Sequence, residues 1–294
     1  TMTVFIREPQ SFVPGNGPVS NYDAWVAPFI RDLDVYIPGV LFFFAVQHGL
    51  RLVASRLFPR FRAMSEKDQL DWCVRGVAVA NGIICQRSTY LWLSYLWNMP
   101  DDFHYDMYTP LPGYRVPLAM LNCYFLWDFI VCCWYGWSWA YTIHAVASGV
   151  GMYLCSFPCS ALWSPYYAGV YELSNMTFHT AHMIRTVCDP TIKSGWRVVI
   201  PKLGEAFFVF WFFTVRLAGG VWTSTRWLWL MGNAVANDEV HNYSAAYVMM
   251  PLFAMVIIVQ FFWAGEVIKA VKDSMAGEKP VTKTIEDDVE KKHH

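Results

Sequence analysis

The sequence predicts an all-α, multi-pass membrane protein with about seven spans, and three observations predict it. Of its 294 residues 55% are apolar and 15% charged, with a mean hydropathy of +0.28; a soluble domain carries roughly 25% charged residues. Apolar runs recur at about the 20-residue length that crosses a hydrocarbon core, where only internally paired backbone, and hence helix, is tolerated. Between these runs, basic and acidic connections alternate.

The elements follow in order. Residues 1–34 form a polar arm with Pro9, Pro14, Gly15, Gly17 and Pro18; Trp25 to Ile30 reads as a short interfacial helix. The bundle occupies 35–268. Its first span is Val35–Leu57, followed by a basic loop with Arg56, Arg60, Arg62 and Lys67. The second, Cys73–Trp97, carries Arg75 and Arg87. The connection 98–115 is acidic and Pro-rich. Val116–Tyr135 and Ser138–Phe157 are spans three and four, with the aromatic cluster around Trp134 and Trp137 as an interfacial turn. Span five is Ala161–Arg185, followed by a basic loop over 186–204. Span six runs from Glu205 to Leu217 and on toward Leu230, its second half made irregular by Arg216 and Gly219-Gly220. After the acidic loop 232–244 comes span seven, Ala245–Ile268. Residues 269–294 are a charged tail.

Seven crossings put the Lys- and Arg-rich connections and the tail on one side and the acidic connections on the other. That is the positive-inside pattern with the N-terminus out. The 15 Trp, 16 Tyr and 21 Phe supply interfacial belts, and a net charge of −1 gives no field for nucleic acid. The eight cysteines show no framework spacing, and most lie in apolar segments as small hydrophobes.

Three ionisable residues on three spans, Asp128, His144 and Glu172, mark a polar cavity, since charges inside a membrane face the bundle interior. One reading is an acid–base set in which His144 takes a proton and a carboxylate orients it. The other is hydrogen bonding between neighbouring helices. His179 and His182 share one helix face, but no second histidine motif accompanies them, so no metal is expected. Arg75 reads as a snorkelling or lipid-phosphate-binding residue, and the deeper Arg216 as a partner for Asp128 or Glu172. Asn242-Tyr-Ser244 is a glycosylation sequon close to span seven, and Lys291-Lys292 has the look of a dilysine retrieval signal.

In this order, Trp72-x-x-Arg75, Cys123-Tyr124-Phe-Leu-Trp-Asp128, Ile143-His144, Glu172-Leu173-Ser174-x-x-Phe178 and Phe212-Phe213-x-x-Arg216 resemble the segments of the TLC domain, found in ceramide synthases and small TLC-domain proteins. The resemblance covers about residues 70–268. It implies a TLC-like bundle, with Asp128, His144, Glu172, Arg75 and Arg216 as lipid-contacting positions. One departure bears on function. The family's paired histidines stand here as His144-Ala145, and loss of half a proton-transfer pair commonly costs orders of magnitude in rate.

The expected function is therefore a non-catalytic, lipid-binding membrane protein, a pseudoenzyme with no cofactor beyond structural phospholipid. Polar ends of this composition order only when tied down. Other membrane-protein subunits are thus expected as partners, in a large organellar assembly such as a respiratory or ATP-synthase complex of the mitochondrial inner membrane. The alternative is an acyl-CoA-dependent N-acyltransferase of the endoplasmic reticulum, with His144 as base and Asp128 or Glu172 orienting it.

Overall fold

The structure is a computed structural model that describes residues 18–98, 113–137, 139–156, 166–188, 191 and 194–275. The arm before residue 18, most of the acidic connection after span two, the tail beyond 275 and Lys291-Lys292 lie outside the described residues. So does the expectation that partner subunits hold the two ends.

Seven long helices carry the fold: α1 Leu33–Leu57, α2 Glu66–Trp97, α3 Arg115–Tyr135, α4 Trp139–Ser156, α5 Leu173–Val187, α6 Trp196–Ala236 and α7 Tyr243–Met275. Two short helices, Asn21–Trp25 and Ala27–Arg31, precede α1, and Pro59–Arg62 joins it to α2. There are no strands among the described residues. Four helices (α1, α3, α6 and α7) are long and apolar enough to cross a membrane. The other three differ for local reasons: α2 carries Asn81, Gln86 and Arg87 in its interior, α4 carries Thr142, His144 and Ser148, and α5 is only 15 residues long.

The helix ends explain the boundaries. Ser65 caps α2, its hydroxyl accepting from the Asp68 amide at 3.1 Å. α3 stops at Gly136, whose φ of +64° suits glycine, and the Trp137 amide returns to the Cys132 carbonyl. α6 begins at Trp196, well inside the stretch expected to be a basic loop. Arg197 and Lys202 gave that stretch its loop character, but it is helical and carries Pro201 in its first turns.

α6 runs 41 residues, about 60 Å at 1.5 Å per residue, so it exceeds the hydrocarbon thickness. Its irregular part is real and specific: Phe212–Gly219 is a wide, π-helical stretch. It faces a second one, Tyr166–Val170, which leads into α5. The Tyr166 hydroxyl donates to the Val215 carbonyl at 2.6 Å, and the Trp211 indole donates to the Val170 carbonyl at 2.8 Å. These bonds satisfy carbonyls that sit in disturbed ladders. Gly219 and Gly220 make room for this contact. A Cβ on Gly219 would lie 2.5 Å from the Tyr166 hydroxyl, and one on Gly220 3.0 Å from the Tyr171 ring.

The helices close a ring: α2 packs on α5, α5 on the first part of α6, the second part of α6 on α7, α7 on α4, α4 on α3, and α3 on α2. α1 lies outside it, against α2 and α3. Helices α2 and α5 run antiparallel at close range. Trp72 meets Met183, Gly82 meets Met176 and Gly169 meets Thr89 in steady register. The main core sits where Trp227 (fully buried) stacks on Phe253 with ring centroids 4.1 Å apart, between α6 and α7.

One end of the ring is closed by residues 19–34. The Val19 amide donates to the His241 carbonyl at 2.6 Å, the Trp25 indole to Ser244 at 2.8 Å, and Asn242 Nδ2 to both the Val19 carbonyl and Asn21 Oδ1. Tyr153 of α4 donates to the Trp25 carbonyl and accepts from the Phe29 amide. Asp32 takes Arg115 Nε at 2.5 Å and Arg31 Nε at 2.9 Å, and Asp34 takes Arg115 at 2.7 Å. Burial pushes the Asp32 carboxyl up, but the hydrogen bonds from Arg31 and Arg115 outweigh it and hold the group below the ordinary carboxylate range. The same strap engages the sequon. Asn242 is 7% exposed, its Nδ2 is occupied, and its Oδ1 accepts from the Ala245 amide at 2.9 Å, capping α7.

Candidate functional site: a polar cavity inside the ring

Arg216 is the centre of the interior. It projects from the π-helical part of α6 and is 6% exposed. Its guanidinium lies over the Tyr171 ring at 4.4 Å and the Trp263 ring at 5.4 Å. Nη1 donates to Asn175 Oδ1 at 2.8 Å, and Asn175 Nδ2 in turn donates to Glu172 Oε2 at 2.8 Å. Glu172 itself stands 4.0 Å from Nη2, which is beyond hydrogen-bond length. Nε has no partner. So the expected pairing of Arg216 with Glu172 exists as a loose contact relayed by Asn175.

Trp263 of α7 connects this group to His144, whose ring lies 5.8 Å from it and 6.5 Å from Phe125 of α3. His144 is exposed at its surface while packing edge-on against these two rings. His144 Nδ1 shares a 3.5 Å hydrogen bond with Ser148 of its own helix. Among the described residues no carboxylate is hydrogen-bonded to it.

Asp128 of α3 has the Cys132 thiol at 4.0 Å as its polar neighbour. The structure thus joins Glu172, Arg216 and His144 through Asn175 and Trp263, while the described polar neighbour of Asp128 is Cys132 of its own helix.

Arg75 lies farther toward the basic end. Its Nε donates to Asp71 at 2.7 Å, and Asp71 is 3.9 Å from His182. Arg185 and Glu205 pair at 2.5 Å near the same end. Glu172, Asn175, His179 and His182 recur at three- and four-residue steps, so one face of α5 and its lead-in carries polar groups from the basic end to Arg216. Along it, His179 Nδ1 and Ser174 Oγ are buried without partners. No group of three or more ligands able to hold a metal occurs among the described residues.

Three participants were not singled out by sequence. Asn175 lies inside the Glu-Leu-Ser segment and was available from its spacing to Glu172. Ser174 likewise lies in that segment. Trp263 sits in a continuous apolar helix, where an aromatic carries no distinguishing pattern.

This chemistry is that of a polar cluster enclosed by apolar helices. Asn175 and Glu172, from α5 and its lead-in, meet the Arg216 cation of α6, and His144 of α4 approaches through Trp263. Three comparisons bear on it. The family model described as the TLC domain (TRAM, LAG1 and CLN8 homology) matches residues 71–269. No curated protein and no solved structure matches the chain. The matched stretch starts just before Arg75 and ends in α7, so it contains the whole ring and every cavity residue, and it leaves out the strap and α1.

Proposed function

The chain belongs to the TLC-domain family, and from that premise we propose that it is a non-catalytic membrane protein that binds a lipid in the cavity of its helix ring. His144 carries this reading. It is exposed, as a ligand contact would be, yet it bonds to Ser148 and among the described residues has no carboxylate hydrogen-bonded to orient it as a base. Beside it, Ala145 is fully buried where the family places a second histidine. The apolar rings of Phe125 and Trp263 supply a dry wall, and Asp128, Glu172 and Arg216 supply the polar contacts.

The test is to purify the protein in mild detergent, extract what is retained, and assay acyl transfer from acyl-CoA to long-chain amines. Retained lipid with no transfer is the expected result. Transfer that disappears in His144→Ala would replace this reading with the N-acyltransferase one, which the accessibility of His144 favours. The wider proposal, an accessory subunit of an organellar complex, is tested by native electrophoresis of solubilised membranes. Co-migration with a stoichiometric set of subunits supports it, and migration alone rejects it.

A further inference from the structure

The hairpin of α6 and α7 is closed at one end and parted at the other. From the strap end inward, Trp227 stacks on Phe253, and at the next level Arg216 lies over Trp263. Beyond that level the first part of α6, Trp196–Trp211, packs on α5 and makes at most glancing contact with α7. It buries little: Pro201 is its one buried residue, while Leu203 and Phe210 are over 60% exposed. On α7, Ile258, Phe261 and Phe262 are exposed up to this level, and Ile268 beyond it. The first part of α6 and the end of α7 therefore part, and Arg216 stands where they do.

Arg216 is also incompletely satisfied. A guanidinium offers five N–H donors in one plane, and aromatic rings cover its faces. Among the described residues its one hydrogen-bond partner is Asn175, with Glu172 at 4.0 Å and Nε unpaired. A buried charge with one hydrogen bond lacks an acceptor. Ser174 Oγ and His179 Nδ1, both buried and unpartnered, belong to the helix that supplies Asn175. Planar, paired oxygens are the acceptors an arginine edge donates to best.

Resting on the lipid-binding reading above, we propose that the parting of α6 and α7 is a side entrance from the bilayer, and that Arg216 at its inner end receives the oxyanion headgroup, carboxylate or phosphate, of an acyl-chain amphiphile. The chain lies along the apolar segments, and the headgroup takes the open edge of the guanidinium.

Photo-crosslinking in lipid nanodiscs tests this, using a diazirine-bearing long-chain fatty acid and the matching fatty alcohol, with peptide mapping of the adducts. The fatty acid should label the 196–211 and 258–268 segments saturably, and the alcohol should label them at least about tenfold less, the scale of one charge-assisted hydrogen bond. Arg216→Gln should cut the acid's labelling by a similar factor, while Arg216→Lys should keep much of it. Excess inorganic phosphate should not displace the probe; displacement would mean a site for soluble anions and would overturn the lipid assignment. Equal labelling by acid and alcohol in the unaltered protein would overturn the oxyanion proposal, with no variant needed, while leaving lipid binding intact. Adducts confined to the outer faces of α1 would overturn the entrance. Absence of any saturable labelling would remove the lipid-binding reading itself.

Discussion

Two arginine–carboxylate groups in this molecule look alike in sequence and differ in structure. At the strap, Arg115 reaches Asp32 at 2.5 Å and Asp34 at 2.7 Å, and Arg31 adds a further bond to Asp32. In the cavity, Arg216 stands 4.0 Å from Glu172 and leaves Nε unused. The group whose arginines reach the surface is complete, and the one whose arginine is buried is not. Burial makes an unmet charge costlier, so the cavity is the place where completion by a ligand gains most. The strap holds one end of the ring shut, and the cavity keeps its bonds in reserve.

Variants on either side of this contrast should separate holding from binding. The largest effect is expected at the core between them. Trp227→Ala removes a fully buried ring stacked on Phe253 and should cost about 3–5 kcal/mol, read as a large drop in thermal midpoint in detergent. A small drop would mean that the α6–α7 hairpin is not the common support of both regions.

Asn242→Ala comes next. It deletes the cap of α7 and two bonds to the strap and should cost about 1–3 kcal/mol. Limited proteolysis should then cut near Arg31 sooner, with lipid retention unchanged. Loss of retained lipid on strap opening would break the division drawn here.

Acid probes the strap further. The folded Asp32 carboxyl titrates below its unfolded value. Its stabilisation is therefore full above the unfolded pKa, near 4, and falls away as pH drops through the folded one. The thermal midpoint of the unaltered protein should fall below about pH 4 more steeply than that of Asp32→Asn. Parallel curves would show that the ion pair adds nothing there.

The smallest effect is expected at His144. Its bond to Ser148 is long, and His144→Ala should change stability by no more than about 1 kcal/mol. A larger loss would place His144 in the structural scaffold and not in the cavity wall.

The sequence was informative where information is local. Apolar length located α1, α3 and α4 to within two residues, and the start of α7, which runs seven residues past the expected Ile268. A charged residue beside Gly219-Gly220 in an apolar run marked the irregular stretch of α6. It was uninformative where pairing is distant. Nothing near Val19 or Trp25 signals that they meet residues 241–244, because a hydrogen bond across more than 200 positions leaves no periodic trace. The start of α6 was hidden for another reason. Arg197 and Lys202 are compatible with loop or with a helix whose basic end leaves the hydrocarbon, and composition alone does not choose. The cavity was half legible. Its ionisable members stood out against apolar spans, but Trp263, which links His144 to Arg216, resembles every other aromatic on its helix.

The strap also imposes an order on biosynthesis. Its anchors, His241, Asn242 and Ser244, sit at the start of the last helix, so residues 19–25 leave the ribosome long before anything exists for them to bind. Six helices must be synthesised while the first segment waits. Ring closure and docking of that segment then belong to the final stage of synthesis, and a chain stopped before residue 244 would present an unlatched arm to the quality-control machinery.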